Sequence, residues 1–205
     1  MTHRIRLAAL LLAVVASVAV LGSQLTASSP SAAPPRVPVL RVEQRAPRVA
    51  PRAPLGEGDG SLPAGTSVFD DGAPGVAKLD PALLGALRRA ASDAAGDGVA
   101  FVVDSGWRSP AYQAQLFQEA VAKYGSTQEA ARWVATPTTS AHVSGDAVDI
   151  GPREAAAWLS EHGAGYGLCQ IYDNEPWHYE LRPDAVADGC PTRYDDPTQD
   201  PRMQQ

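Results

Sequence analysis

The chain has 205 residues and a formal net charge of −6 at pH 7. The charge is unevenly distributed: residues 1–60 hold seven Lys and Arg against three Asp and Glu, a net +4, whereas residues 61–205 hold ten against twenty, a net −10. So acidic a C-terminal part argues against nucleic acid as a partner. Its length, about 145 residues, suits one domain with its own core.

The first 27 residues have the layout of a secretory signal. Arg4 and Arg6 form a basic start, residues 7–21 form an apolar run, and small residues follow. The run is shorter than the roughly 20 apolar residues of a membrane span. Residues 1–27 are therefore predicted to be a signal peptide, or a signal anchor if the span extends to Leu25. In either case the rest of the chain lies outside the cytoplasm, secreted or associated with the cell wall, and contacts a membrane only if the signal is uncleaved.

A segment rich in proline, alanine and arginine follows at residues 28–60. It lacks aromatic residues and shows no helical or alternating period, so it cannot bury enough apolar area to offset its ordering entropy. We expect a disordered tether. Its spacing of prolines favours a spacer over a basic arm that lies on an anionic wall or membrane.

Residues 61–193 are predicted to fold, and residues 194–205 to form a disordered tail. Asp80 with Pro81 is typical of a helix start, and Ser126 with Glu129 forms a capping box. In chain order, the predicted elements are a helix from residue 81 to about 95, a strand at 99–103, helices at 110–125 and 126–135, a strand at 146–151, a helix at 152–163, and strands at 167–172 and 177–182. The last two strands have no helix between them. This order predicts a single small α+β domain with a central, mainly antiparallel sheet and helices packed on it.

Cys169 and Cys190 are the two cysteines of the chain. An isolated pair in an exported protein predicts a disulfide. Neither cysteine belongs to a CxxC-type spacing, which argues against a structural zinc site.

Two short stretches hold residues that could bind a metal. In SAHVSGDAVDIGP, residues 140–152, His142 precedes Asp149, and an alternating strand would place Asp149 between Ala147 and Gly151 on one face. Alone, this pair fits a loop hydrogen bond better than a metal site. The stretch NEPWHYEL, residues 174–181, adds Glu175 and His178.

Together these stretches supply a catalytic zinc set. Such sites commonly take three protein ligands from His and carboxylate and leave one position for water. His142, Asp149 and His178 supply three ligands, and Glu175 is then an acid free to act as general base. His162 precedes Gly163 at a helix end, where a cation meets the negative end of the helix dipole, and is left out of the site.

Arg108 lies in DSGWRSPAYQ, residues 104–113, between a predicted strand and a predicted helix. From that position its guanidinium could point into a cleft and hold a carboxylate or an oxyanion. A surface arginine paired with one of the many acids is an equally good interpretation.

The blocks SGWRSPAYQ, SAHVSGDAVDIG and EPWH, taken together and in this order, resemble the three signature blocks of the VanY-type D-alanyl-D-alanine carboxypeptidases. The resemblance runs from about residue 64 to about residue 183. It implies the hedgehog/D,D-peptidase fold and one zinc ion on the three ligands named above. It also implies Glu175 as catalytic acid/base and Arg108 as a group that stabilises the substrate's carbonyl or carboxylate.

Three further residues match cleft positions of that family. Ser140 and Gln113 match positions that line the substrate cleft, and Trp107 stands where many relatives have Tyr, so an aromatic side chain is kept.

The expected reaction is zinc-dependent hydrolysis of the C-terminal D-Ala–D-Ala bond of peptidoglycan stem peptides, by a monomer. An endopeptidase with the same zinc chemistry is one alternative. A zinc-bearing wall-binding module without turnover is the other, and the presence of Glu175 argues against it.

Overall fold

The computed structural model describes residues 55–204. The predicted signal and nearly all of the predicted tether lie outside these residues. The α-helices are α1 Pro74–Ala77, α2 Pro81–Gly96, α3 Pro110–Tyr124, α4 Thr127–Ala130, α5 Ala141–Ser144, α6 Arg153–His162 and α7 Ala185–Asp188. The strands are β1 Val102–Ser105, β2 Ala147–Gly151, β3 Leu168–Gln170 and β4 His178–Leu181. Short 3-10 turns occupy Glu57–Asp59, Gly163–Tyr166, Pro197–Gln199 and Pro201–Gln204.

The four strands form one sheet in the order β1-β2-β4-β3, and every neighbouring pair is antiparallel. This arrangement confirms the predicted α+β fold with an antiparallel sheet. Its register has a direct consequence for function, because the pairing of β2 with β4 sets Asp149 opposite His178. Cross-strand neighbours in such a pair have their Cβ atoms about 4.5–5.5 Å apart.

One face of β2 belongs to the main hydrophobic core. Val148 and Ile150 are buried there, together with Leu83 and Leu87 of α2 and Leu159 of α6. Full burial of a side chain of this size contributes about 1.5–3 kcal/mol. The core therefore fixes β2 firmly and leaves Ala147 and Asp149 to point to the opposite side, as strand alternation requires.

The helix starts agree with the sequence. The Asp80 carboxylate accepts hydrogen bonds from the backbone N–H groups of Ala82 and Leu83, and Ser126 Oγ accepts from Glu129 N–H. Loss of such a cap costs about 1 kcal/mol.

Two of the predicted elements differ from the structure by more than two residues at one end. The strand expected at 99–103 is found at Val102–Ser105, because the N–H of Val99 donates to the Ala94 carbonyl and so closes the end of α2. The helix expected at 126–135 ends as an α-helix at Ala130.

The limits of the folded part also differ from the predicted 61–193. The chain already folds at Asp59, whose carboxylate accepts a hydrogen bond from Ser109 Oγ at 2.8 Å. The prediction of a disordered tail is wrong for residues 194–204, since both 3-10 turns of this segment are held through buried Asp196 and Asp200. Asp196, for example, pairs with Arg132, 64 positions earlier in the chain, and no local sequence pattern predicts such a contact.

Within residues 55–204, no helix combines the length and apolar character that crossing a membrane would need.

Candidate active site

Three buried side chains converge beside the sheet. His142 Nε2 lies 3.4 Å from Asp149 Oδ1, His178 Nδ1 lies 3.2 Å from the same oxygen, and the two ring nitrogens are 3.2 Å apart. Among the described residues, these three form a group that could hold a metal ion. The structure thus brings together the three ligands expected from the sequence.

Different elements deliver the three side chains. Asp149 and His178 come from the paired strands β2 and β4. His142 comes from α5, a single helical turn that is not among the elements predicted from the sequence. Gly145 ends this turn with a φ of 85°, a left-handed conformation that glycine adopts without strain.

The partners of the rings determine which nitrogens face the metal position. His142 Nδ1 lies 2.8 Å from the Gly106 carbonyl, which can only accept, so Nδ1 carries the proton and Nε2 is free to bind a metal. His178 Nε2 lies 3.4 Å from a Glu180 carboxylate oxygen and can donate to it, which leaves Nδ1 facing the other two ligands. A hydrogen bond from the distal ring nitrogen to an oxygen acceptor is typical of metal-binding histidines.

Burial and charge act against each other in this cluster. Burial raises the pKa of Asp149, but the neighbouring His142, His178 and Arg108 lower it more. The pKa of this carboxyl therefore lies well below its usual range. Burial lowers the pKa of His142, and the Arg108 cation lowers it further. Burial also lowers the pKa of His178, but hydrogen bonds to Asp149 and Glu180 outweigh it and raise the value to about 10. The site therefore pairs an ionised carboxylate with cations or with a metal.

Glu175 lies next to the three ligands without being one of them. Its Oε2 is 3.7 Å from His178 Nδ1, and only 6% of the residue is exposed. Burial is the largest influence on this carboxyl and raises its pKa to about 7, although His178 opposes the shift. A carboxyl with such a pKa can both take and return a proton near neutral pH.

Arg108 points into the cleft, as one of the two interpretations of the sequence expects. Its guanidinium donates to Asp149 Oδ2 at 2.7 Å, to Gln113 Oε1 at 3.1 Å and, through Nε, to Ser105 Oγ at 2.6 Å. A guanidinium has five N–H donors, so N–H groups remain for a ligand in the cleft. Arg108 thus orients Asp149 and can also contact a substrate.

The three cleft positions of the sequence analysis have different surroundings. Ser140 and Gln113 line a cleft of about 510 Å³ that also contains the metal-binding group. Both polar atoms of Gln113 are engaged, since Nε2 donates to the Ala135 carbonyl at 2.8 Å, so Gln113 holds Arg108 in place. Trp107 does not line this cleft; the Lys78 ammonium lies 3.7 Å above its ring centroid instead.

Sequence reasoning missed several residues of the site. Trp177, 41% exposed, and the buried Tyr172 line the cleft. Glu180 contacts His178 from the outer side. Its position could have been inferred from HYE in β4, because residues i and i+2 of a strand share a face.

The disulfide between Cys169 and Cys190 is present, with the two Cα atoms 5.6 Å apart. It confirms the pairing expected from the sequence. The closed loop contains both Glu175 and His178, so the bridge restrains the segment that supplies an acid and a ligand.

His162 stays outside the site, as expected. It is exposed at the end of α6, where its Nδ1 donates to the Trp158 carbonyl at 2.9 Å and its ring stacks on the Trp158 ring.

Comparisons with known proteins show which family the chain resembles. The model of the VanY family, described as D-alanyl-D-alanine carboxypeptidase, matches residues 76–184. A D-alanyl-D-alanine carboxypeptidase of Enterococcus faecalis is 37% identical in an alignment 111 residues long, with coverage of 42% of this chain and 41% of that relative, so the chain spans less than half the relative's length.

Two solved structures have the same fold. The structure of VanYB in complex with D-alanine-D-alanine is 29% identical, and the similarity covers 54% of this chain and 74% of that chain with a TM-score of 0.50. The structure of the LdcB LD-carboxypeptidase is 23% identical and covers 62% of this chain and 70% of that one, also with a TM-score of 0.50.

Proposed function

The chain belongs to the VanY family of D-alanyl-D-alanine carboxypeptidases, and from this premise we propose that it is a zinc peptidase that removes the terminal D-alanine of peptidoglycan stem peptides ending in D-Ala–D-Ala. The observation that carries the proposal is the buried triangle of His142, Asp149 and His178 with a separate carboxyl, Glu175, beside it. Three ligands alone would suit a structural ion. The added acid suits hydrolysis.

The spacing of the three donor atoms fits zinc. Their separations are 3.2, 3.2 and 3.4 Å. A tetrahedral zinc site with bonds of about 2.0–2.1 Å has donors about 3.3–3.4 Å apart. Two imidazoles and one carboxylate are also a usual donor set for catalytic zinc. We therefore assign one zinc ion per chain to these residues.

Glu175 is the general base and acid of the proposed reaction. Bound zinc would supply a Lewis acid for the scissile carbonyl and make a water at the site more acidic. Glu175 takes the proton of the attacking water and returns it to the leaving amine of the terminal D-alanine. Its low exposure and its pKa of about 7 support both transfers near neutral pH.

Arg108 binds negative charge in the cleft. It holds Asp149 through one N–H and offers further N–H groups towards the cleft, which it lines together with Ser140. We assign it the terminal carboxylate of the substrate or the negative charge that develops on the carbonyl oxygen. The VanYB structure with D-alanine-D-alanine supports this class of substrate.

The proposed setting is outside the cytoplasm. The bridge between Cys169 and Cys190 suits an oxidising compartment. The same setting is expected from the predicted signal at residues 1–27 and the predicted tether that follows it. We propose residues 55–204 as the catalytic domain. We retain the expectation of a monomer with no nucleic-acid partner.

Mass spectrometry of the products tests the proposed bond. The protein is incubated with a stem pentapeptide that ends in D-Ala–D-Ala and with intact cross-linked muropeptides. The expected result is the loss of one alanine from the pentapeptide and unchanged cross-links. Cleavage within the stem or the cross-link would make the protein an endopeptidase, and binding to the wall without any product would make it a binding module.

A further inference from the structure

The C-terminal segment 196–204 reaches the outer side of the metal-binding group. The family match ends at residue 184, so this segment lies beyond it. Two of its residues, Pro197 and Met203, line the cleft. Arg202 does not line it and bonds instead to Glu180, on the Nε2 side of His178.

Glu180 is the first link between this segment and the site. Its side chain is 1% exposed and shares a face of β4 with His178, and Oε1 lies 3.4 Å from His178 Nε2. A buried carboxylate requires compensation by charge or hydrogen bonds. Arg182 Nη2 supplies one donor, at 2.6 Å from Oε2.

Arg202 supplies a two-point contact to the same carboxylate. Nη1 donates to Glu180 Oε2 at 2.7 Å, and Nη2 donates to Oε1 at 3.2 Å. The planar guanidinium matches both oxygens at once and therefore fixes the rotation of the carboxylate. Arg202 is itself held by Asp200, which accepts from Nε at 2.9 Å.

Asp200 provides a second link to His178, through the ring of Tyr172. It is 0% exposed and accepts a hydrogen bond from the Tyr172 hydroxyl at 3.0 Å. The ring centroid of Tyr172 lies 5.2 Å from that of His178. The segment therefore restrains both the group that receives the distal N–H of His178 and an aromatic ring packed near it.

We propose that Arg202 is a positioning residue of the metal site: by locking the Glu180 carboxylate it fixes the tautomer and orientation of His178, so that Nδ1 points to the metal. The inference rests on the proposed function, because it assumes that the triangle binds zinc. Groups that hydrogen-bond a metal ligand directly typically change metal affinity or activity by about 10–100-fold when they are removed. Arg202 acts through such a group, Glu180, so we expect the lower end of this range.

Zinc titration of the metal-free protein against a competing chelator tests the inference. Arg202→Met should weaken zinc binding by about 10-fold, the lower end of the range for direct partners of a ligand. The zinc affinity of Arg202→Lys should lie between those of Arg202→Met and the wild type, since one ammonium cannot reproduce the two-point contact. Arg193→Met is the matched control: within residues 55–204 the side chain of Arg193 hydrogen-bonds to Asp173, in an ion pair whose side chains are 46% and 50% exposed, so its removal should leave zinc affinity unchanged.

Kinetics at saturating zinc give a second readout. Arg202 does not line the cleft that holds the ligands, so KM for the pentapeptide should stay unchanged in Arg202→Lys while kcat falls. Wild-type zinc affinity in both Arg202 variants, with only a lowered Tm, would make Arg202 purely structural and overturn the inference.

The remaining outcomes are also decisive. If Arg202→Met does not fold, as judged by circular dichroism, the result with Arg202→Lys decides. In that case, zinc binding by the wild type combined with wild-type affinity in Arg202→Lys refutes the positioning role alone. A wild-type protein that binds no zinc refutes the proposed function, and the inference with it.

Discussion

Replacement of Glu175 by Gln should abolish turnover and preserve the metal site. Gln keeps the shape of the side chain but cannot accept the proton of the attacking water. General acid–base catalysis contributes about 10²–10⁴-fold. Besides Glu175, the described carboxylates within 4 Å of His142 or His178 are Asp149, which is bonded to Arg108, and Glu180, which is bonded to two arginines. Because neither can replace Glu175 as the base, we expect the upper part of that range, a loss of about 10³–10⁴ in kcat, or about 4–5.5 kcal/mol.

Release of D-alanine from a pentapeptide, measured at saturating zinc, gives kcat, and titration of the metal-free protein gives the zinc affinity. Glu175 is not one of the three ligands, so zinc should still bind at one equivalent. His178→Ala is the companion variant, and it should lose both zinc and activity. Turnover by Glu175→Gln within tenfold of the wild type would refute the assignment of the base.

Two further predictions concern stability. Replacement of both Cys169 and Cys190 by Ala removes a disulfide with a sequence separation of 21. This should lower the free energy of unfolding by about 3 kcal/mol and Tm by about 10 °C. Urea denaturation and calorimetry measure the two changes, and a loss of stability below about 1 kcal/mol would contradict the prediction. The second concerns Asp200, where burial raises the pKa of the carboxyl but hydrogen bonds from Arg202 outweigh it and lower the pKa overall. Its stabilising contribution is therefore complete above the unfolded pKa of about 3.9 and is lost as the pH falls through the lower folded value. The stability difference between wild type and Asp200→Asn, measured in urea, should be full at pH 6 and shrink below about pH 4; a difference that does not change with pH would contradict it.

The sequence predicts the fold and the ligand set better than it predicts the surroundings of the site. Helix starts were predictable because Asp80 and Ser126 act through bonds to residues two or three positions away. The strand at Val102–Ser105 was misplaced because an apolar run also suits the end of a helix, where the Val99 N–H closes α2.

The ligand triangle depends on both local pattern and register. The motifs name His142, Asp149 and His178, but only the pairing of β2 with β4 brings the last two together. The contact between Arg202 and Glu180 joins residues 22 positions apart, and no periodicity in the sequence predicts it. For the same reason the C-terminal segment was predicted to be disordered.

Zinc titration of peptidase activity tests the central claim most directly. The protein is freed of metal with a chelator, the chelator is removed, and D-alanine release from a D-Ala–D-Ala-ended pentapeptide is followed as zinc is added. The account predicts no activity without metal and a linear recovery that ends at about one equivalent of zinc, the number that one triangle of ligands can hold. Full activity of the metal-free protein would contradict it.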